Sequence, residues 1–172
     1  MRARLGVGIL FGLLFGALPA WSQEGAPVML RVSVSERQLL VRRGEEILHS
    51  FPVGVGTGQR LSRGRGDGWE FNTPTGVFEI GRMKKDPVWY APDWYYVERG
   101  LPVPPAYSEG RYRRGILGDY ALYLSDEIAI HGTPDESSVG RASSHGCLRM
   151  RNADIAVVFP LVQVGTRVEI VP

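Results

Sequence analysis

The chain has 172 residues, 20 Lys+Arg against 18 Asp+Glu, a formal charge of +2 and an apolar content of 44%. This is the size and composition of one ordinary globular domain. No basic stripe or RNA-type motif stands out, which argues against a nucleic-acid partner.

Residues 1–22 have the pattern of a secretory signal peptide. Arg2 and Arg4 supply its positive start, Leu5 to Leu18 its apolar stretch, and Ala20-Trp21-Ser22 its small-residue cleavage site. Cleavage there starts the mature chain near Gln23 and takes Lys+Arg from 20 to 18 against 18 Asp+Glu, so the mature charge is near zero. The apolar run is short for a bilayer span, and no cysteine follows it to take a lipid. The pattern implies export, with membrane contact only through this segment if it stays uncleaved.

Val28 to Val34 and Gln38 to Val41 read as strands, and Ile47 to Val55 as the return strand of a hairpin turning at Arg42 to Glu46. Gly64, Gly66 and Gly68, with Arg63, Arg65 and Asp67, read as a solvated loop. They lack the Lys-Ser/Thr pair and following helix of a phosphate loop. Thr73-Pro74-Thr75-Gly76 is a turn signal before a strand from Val77 to Ile80. From Arg82 to Gly118 runs a Pro-rich segment holding Trp89, Tyr90, Trp94, Tyr95, Tyr96, Tyr107 and Tyr112. Long aromatic loops of this kind serve as lids or cover an open core edge. Within it Arg111, Arg113 and Arg114 read as a solvated charge run or as an attraction for an acidic polymer.

Ala121 to Leu124 and Glu127 to Ile130 read as buried strands, the second placing His131 at its end. Asn152-Ala153-Asp154 opens a short helix that Pro160 ends or kinks, and Arg167 to Val171 is a closing strand. The expected fold is mostly β, a sandwich or barrel with one or two short helices and a long aromatic lid loop. One domain is expected over 28–171.

Cys147 is the only cysteine in the sequence. It lies in Ser143-Ser144-His145-Gly146-Cys147-Leu148-Arg149, after Ile130-His131-Gly132. A lone cysteine is often a small core residue, but one in an exported protein has no internal disulfide partner, and this one sits among histidines, glycines and an arginine. A free thiol with a pKa near about 8.5 is mostly protonated at neutral pH and needs a base or a cation beside it. His131 and His145 are the candidates. In an extended segment the side chains of His145 and Cys147 point the same way. Gly146 allows a tight turn that aims the Gly146 and Cys147 amides at one developing oxyanion. Arg149 suits a carboxylate. A metal site from His131, His145 and Cys147 has only three ligands and lacks zinc-type spacing. No metal and no cofactor are expected.

The run Ile130-His131-Gly132, then Gly140, then Ser144-His145-Gly146-Cys147-Leu148-Arg149-Met150, resembles the catalytic domain of the L,D-transpeptidase (YkuD-type) family. Val53-Gly54-Val55-Gly56-Thr57, Thr73 to Phe78 and Val164 to Ile170 agree with it, whereas 82–120 follows no family pattern. Papain-like enzymes place the cysteine before the histidine. Sortases share the present order but expect a threonine before the cysteine. The resemblance implies peptidoglycan cross-linking through a thioester on Cys147, with His131 as general base and acid, oriented by the Gly132 carbonyl. It implies an oxyanion site at Gly146 and Cys147 near His145. Ser144 is expected to pin the loop and Arg149 to hold a stem carboxylate, with Trp89 and Tyr90 as further substrate-binding residues in the lid. Activity is expected to rise with pH as the Cys147–His131 pair reaches its reactive state. The implied partners are peptidoglycan stem peptides, with a neighbouring stem, water or an outer-membrane lipoprotein lysine as acceptor, acting on a monomer. The alternatives are an L,D-carboxypeptidase or lipoprotein-anchoring enzyme on the same site, and a non-catalytic wall-binding protein.

Overall fold

A computed structural model describes residues 25–64 and 66–172. The signal-like stretch 1–22 lies outside these residues. In chain order the strands begin with β1 (Val28–Ser33), β2 (Gln38–Arg43), β3 (Glu46–Pro52), β4 (Val55–Gly56), β5 (Arg60–Gly64) and β6 (Asp67–Glu70). Then come β7 (Gly76–Glu79), β8 (Arg82–Lys85), β9 (Val88–Tyr90), helix α1 (Asp93–Glu98) and β10 (Tyr112–Arg114). The chain ends with β11 (Tyr120–Tyr123), β12 (Ala129–Thr133), β13 (Ala142–Ser144), β14 (Leu148–Arg151), helix α2 (Asn152–Val158) and β15 (Arg167–Val171).

Two sheets carry the fold. The first has the order β3-β2-β1-β15-β7, and β15 closes it by running parallel to β1. The second has the order β14-β12-β11-β8, with β12 and β14 parallel and the other pairs antiparallel. Period-two alternation decides what each strand buries. Leu30 and Val32, Leu39 and Val41, and Val168 and Ile170 project from the first sheet into the core. Leu122, Ile130, Leu148 and Met150 meet them from the second sheet, with Ile155 and Val158 of α2. Each such side chain stabilises the fold by roughly 1.5–3 kcal/mol relative to exposure.

The core strands and the mostly-β class agree with the sequence reading, and two segments differ. The glycine-rich stretch around Gly64 and Gly68 is not a bare loop, because β5 and β6 pair there as an antiparallel hairpin. Nor is 82–118 a structureless lid. It holds an edge strand of the second sheet (β8), a β9–β10 ribbon and helix α1. Arg111 organises it from inside. That side chain is buried, donates to the carbonyls of Ala91 and Pro104, and pairs with Asp93 at 2.8 Å. It is therefore an internal clamp rather than part of a solvated charge run. Single-sequence periodicity misses such a segment because each element is too short to show a period.

Candidate active site

The site grows from the register of the second sheet. His131 pairs with Arg149 across β12 and β14, and Ile130 pairs with Leu148. Ile130, Leu148 and Met150 are fully buried in the core. Alternation therefore turns Ala129, His131 and Arg149, with Cys147 just before β14, to the opposite face. That face floors a cavity of 730 Å³ lined by Cys147, His131, Arg149, Ser144 and His145, with Trp89, Tyr90, Trp94 and Tyr95 contributed by 88–95. His131 stands in the middle of β12, not at a strand end.

His131 is 4% exposed, and its Nδ1 lies 2.6 Å from the Gly132 carbonyl oxygen. A carbonyl only accepts, so Nδ1 carries the proton and Nε2 keeps its lone pair. Burial lowers the imidazole pKa to about 4; the Gly132 bond opposes this and the Arg149 charge adds to it. The ring is thus neutral throughout the physiological range. Gly132 leaves room for the Asn152 side chain. A Cβ there would occupy the place of the Asn152 side-chain oxygen, which accepts from the Asp119 amide at 3.2 Å. Asn152 is the first residue of α2 rather than its cap, and its side chain serves this contact.

Cys147 is half-buried. Its thiol lies 3.4 Å from the Glu127 carbonyl. Burial pushes the thiol pKa up, against a hydrogen bond from the Ala129 amide and the positive charge of Arg149. The resting pair is therefore neutral thiol and neutral imidazole, not a preformed ion pair.

The turn before Cys147 is not extended. Residues 145–147 bend between β13 and β14, and Gly146 sits at φ 124, a region that L side chains rarely adopt. Ser144 Oγ donates to the Cys147 carbonyl at 2.6 Å and accepts the Gly146 amide at 3.1 Å. Thr73 Oγ1 accepts from the Gly56 amide at 2.8 Å and donates to the Gly146 carbonyl at 2.9 Å. The Gly146 amide, expected as an oxyanion donor, is thus already engaged by Ser144. The Cys147 amide has no partner among the described residues.

His145 stacks on Trp94 with ring centroids 3.9 Å apart, meets Phe71 edge-on at 4.3 Å, and places Nε2 2.9 Å from Glu98 Oε1. It therefore fastens helix α1 to the cysteine loop. The sequence reading did not single out Thr73, Phe71, Glu98 or Tyr123 for the site. Thr73 was visible only as a turn residue, and nothing local marks Glu98 as a histidine partner. Tyr123 pairs with Ala129 and lines the cavity. Burial raises its phenol pKa; Arg82 opposes this and Cys147 adds to it.

A β-sandwich that holds one thiol and one neutral imidazole in a shared cavity is of the cysteine-centred class. Comparison with known proteins gives the particular family. The sequence model of the L,D-transpeptidase catalytic domain (YkuD) matches residues 27–170. The chain belongs to that family. It is 32% identical to the probable L,D-transpeptidase YbiS of Escherichia coli strain K12 over 136 residues, 77% of this chain and 44% of YbiS. It is also 32% identical over 178 residues to ORF 5 of the ATP synthase subunits region of Fuscovulum blasticum, named for the same activity. That match covers 90% of this chain and 88% of the relative. The chain thus spans less than half the length of YbiS. Among solved structures, the L,D-transpeptidase of Xylanimonas cellulosilytica (residues 123–326) superposes with TM-score 0.61 at 19% identity, covering 85% of this chain and 61% of that one. An L,D-transpeptidase of Mycobacterium tuberculosis H37Rv gives 0.58 at 18% identity, covering 86% and 59%. These two likenesses concern the fold.

Proposed function

We propose that the protein is a peptidoglycan L,D-transpeptidase. The observation that carries this reading is His131, locked by the Gly132 carbonyl into the tautomer of a base, in one cavity with the lone thiol of Cys147. His131 Nε2 takes the thiol proton as sulfur attacks the carbonyl joining the third and fourth residues of a tetrapeptide stem. The Cys147 amide, with His145 beside the same loop, stabilises the oxyanion. His131 then gives its proton to the departing D-Ala amine, leaving a thioester between Cys147 and the third residue. The amine of a neighbouring stem attacks that thioester, His131 accepts its proton, and sulfur leaves as the restored thiol. The product is a bond between the third residues of two stems. Arg149, Trp89 and Tyr90 line the cavity and contact the stem, and Ser144 holds the turn. Trp89 packs on Trp94 and Tyr95 at 5.9 and 5.2 Å, making a wall that shields the thioester from water. The pattern of residues 1–22 supports export to the periplasm or cell wall. A monomer suffices for the cavity, since one chain supplies every lining residue.

Intact-mass spectrometry with disaccharide-tetrapeptide, wild type beside Cys147→Ala, tests this. The expected result is an acyl adduct and third-residue-linked dimers, with D-Ala release, in wild type only. Tripeptide alone would move the acceptor to water, and a product that appears only with an added lysine-bearing lipoprotein would move it there. No adduct on a folded protein would overturn the reading.

A further inference from the structure

The β9–β10 ribbon sorts its side chains between two faces. Val88, Tyr90, Tyr112 and Arg114 share one face by pairing and alternation, and Trp89 and Arg113 share the other. The Trp89–Arg113 face packs on helix α1. Trp89 meets Tyr95 at 5.2 Å, and the Arg113 guanidinium lies 4.7 Å from the centroid of the same ring. The other face looks outward, and all four of its residues are exposed. Tyr107 joins it from the loop before β10. Its ring lies 6.2 Å from that of Tyr90, and Tyr112 meets Tyr90 edge-on at 5.4 Å. The three tyrosines thus make one open aromatic face.

Folding gives Tyr107 almost no burial. It is 82% exposed, yet it sits at φ 61, where residues other than glycine rarely go. Its amide donates to the Tyr90 hydroxyl at 3.3 Å, which holds the ring beside its neighbours. The chain therefore keeps a disfavoured backbone in order to hold a ring in solvent, and such outliers gather at sites of function. Arg111 stiffens the face. Its guanidinium lies 5.5 Å from the Tyr90 ring centroid while donating to the carbonyls of Ala91 and Pro104. Rigid tyrosines offer broad, polar-tipped contact at a small cost in conformational entropy.

This face continues into the catalytic cavity. Val88, Tyr90 and Ile116 line the cavity and are its exposed apolar lining among the described residues. The exposed lining elsewhere is polar, from Glu70, Asn72, Arg82, Arg99, Asp126 and Glu127. A molecule that leaves the cavity over its apolar rim therefore runs onto Tyr90, Tyr112 and Tyr107. The exposed shares of these three, 36%, 48% and 82%, amount to about 250–400 Å². A stable protein interface needs roughly 800 Å² per partner, so the face suits one or two rings of a ligand rather than a protein. Pyranose sugars fit it. Their C–H faces stack on aromatic rings, while their hydroxyl and N-acetyl groups bond to the tyrosine hydroxyls and Arg114. We propose that Tyr90, Tyr107 and Tyr112 form a subsite for the amino-sugar rings that carry the donor stem. This rests on the transpeptidase reading above, and the subsite lies in the stretch 82–120 that follows no family pattern.

The test compares a disaccharide-tetrapeptide donor with the same tetrapeptide lacking its sugars. Each is given to purified wild type, Tyr107→Gly, Tyr107→Trp, and Tyr107→Gly combined with Tyr112→Ala. D-Ala release and the acyl-enzyme are followed by mass. In wild type the disaccharide donor should have roughly ten-fold higher kcat/KM, expressed mainly in KM. Tyr107→Gly should lower that preference, the double variant should abolish it, and Tyr107→Trp should keep it. The sugar-free donor, with nothing to place on the tyrosines, should react at the wild-type rate throughout. Glycine suits the backbone of Tyr107, and both replaced side chains are exposed, so these variants should fold. An unchanged rate of Cys147 alkylation checks that the site is intact. Equal kcat/KM for the two donors in wild type would overturn the subsite. So would a double variant that keeps the preference or slows both donors equally. A wild type that sediments as a dimer, and a double variant that does not, would overturn it by giving the face to a second copy. No acyl adduct with either donor in wild type would instead overturn the transpeptidase reading, and the subsite with it.

Discussion

Acidification should weaken this fold through His131 before the carboxylates titrate. The native pKa of about 4 lies below the ordinary histidine value of 6.5. Above pH 6.5 both folded and unfolded states hold a neutral ring, and stability is independent of this group. Between 6.5 and 4 the unfolded chain binds the proton and the folded chain does not, so stability falls as pH falls. Below 4 the loss is complete, about 3 kcal/mol at about 1.4 kcal/mol per pKa unit. At pH 5 most carboxylates are still ionised, and the loss has reached about 2 kcal/mol. Urea unfolding of wild type and His131→Gln at pH 7 and pH 5 isolates the effect, because every other titrating group is common to both. Wild type should lose about 2 kcal/mol more than the variant over that interval. Equal losses would mean that His131 titrates as a solvated histidine, and the argument from its burial would fail.

The cysteine loop and its charge neighbours give two further tests. Thr73→Val keeps the shape but leaves the Gly56 amide and the Gly146 carbonyl without their shared partner; it should cost roughly 2–4 kcal/mol and slow thiol alkylation as the turn loosens, and a neutral effect in urea unfolding would refute that role. Arg149→Met removes the positive charge that lowers the pKa of both Cys147 and His131, so the thiolate limb of iodoacetamide labelling should move to higher pH, with labelling at neutral pH slowed about ten-fold; an unmoved limb would place the guanidinium away from the thiol.

The local reading succeeded where one short stretch determines one outcome. Alternation in Val28 to Val41 and in Arg167 to Val171 fixes which side chains reach the core, because β geometry turns successive residues to opposite faces. A lone Cys147 behind Ser144-His145-Gly146, with His131-Gly132 upstream, likewise singles out a candidate thiol and imidazole, which the structure brings into one cavity. These are properties of residue type and spacing. What sequence leaves open is what distant segments bring to one place. His145 meets Trp94 and Glu98 only because the short elements of 82–118 fold over the β13–β14 bend. The bend also gives the Gly146 amide to Ser144, which extended-strand reasoning could not foresee. His131 is an ordinary histidine in the sequence; burial in the middle of the sheet makes it a poor proton binder at neutral pH. Tyr123 stands between Ala129 and Arg82 because β11 pairs with β12 on one edge and with β8 on the other. Pairing register and burial belong to the assembled sheets, so the residue types came from the sequence and their environments from the tertiary structure.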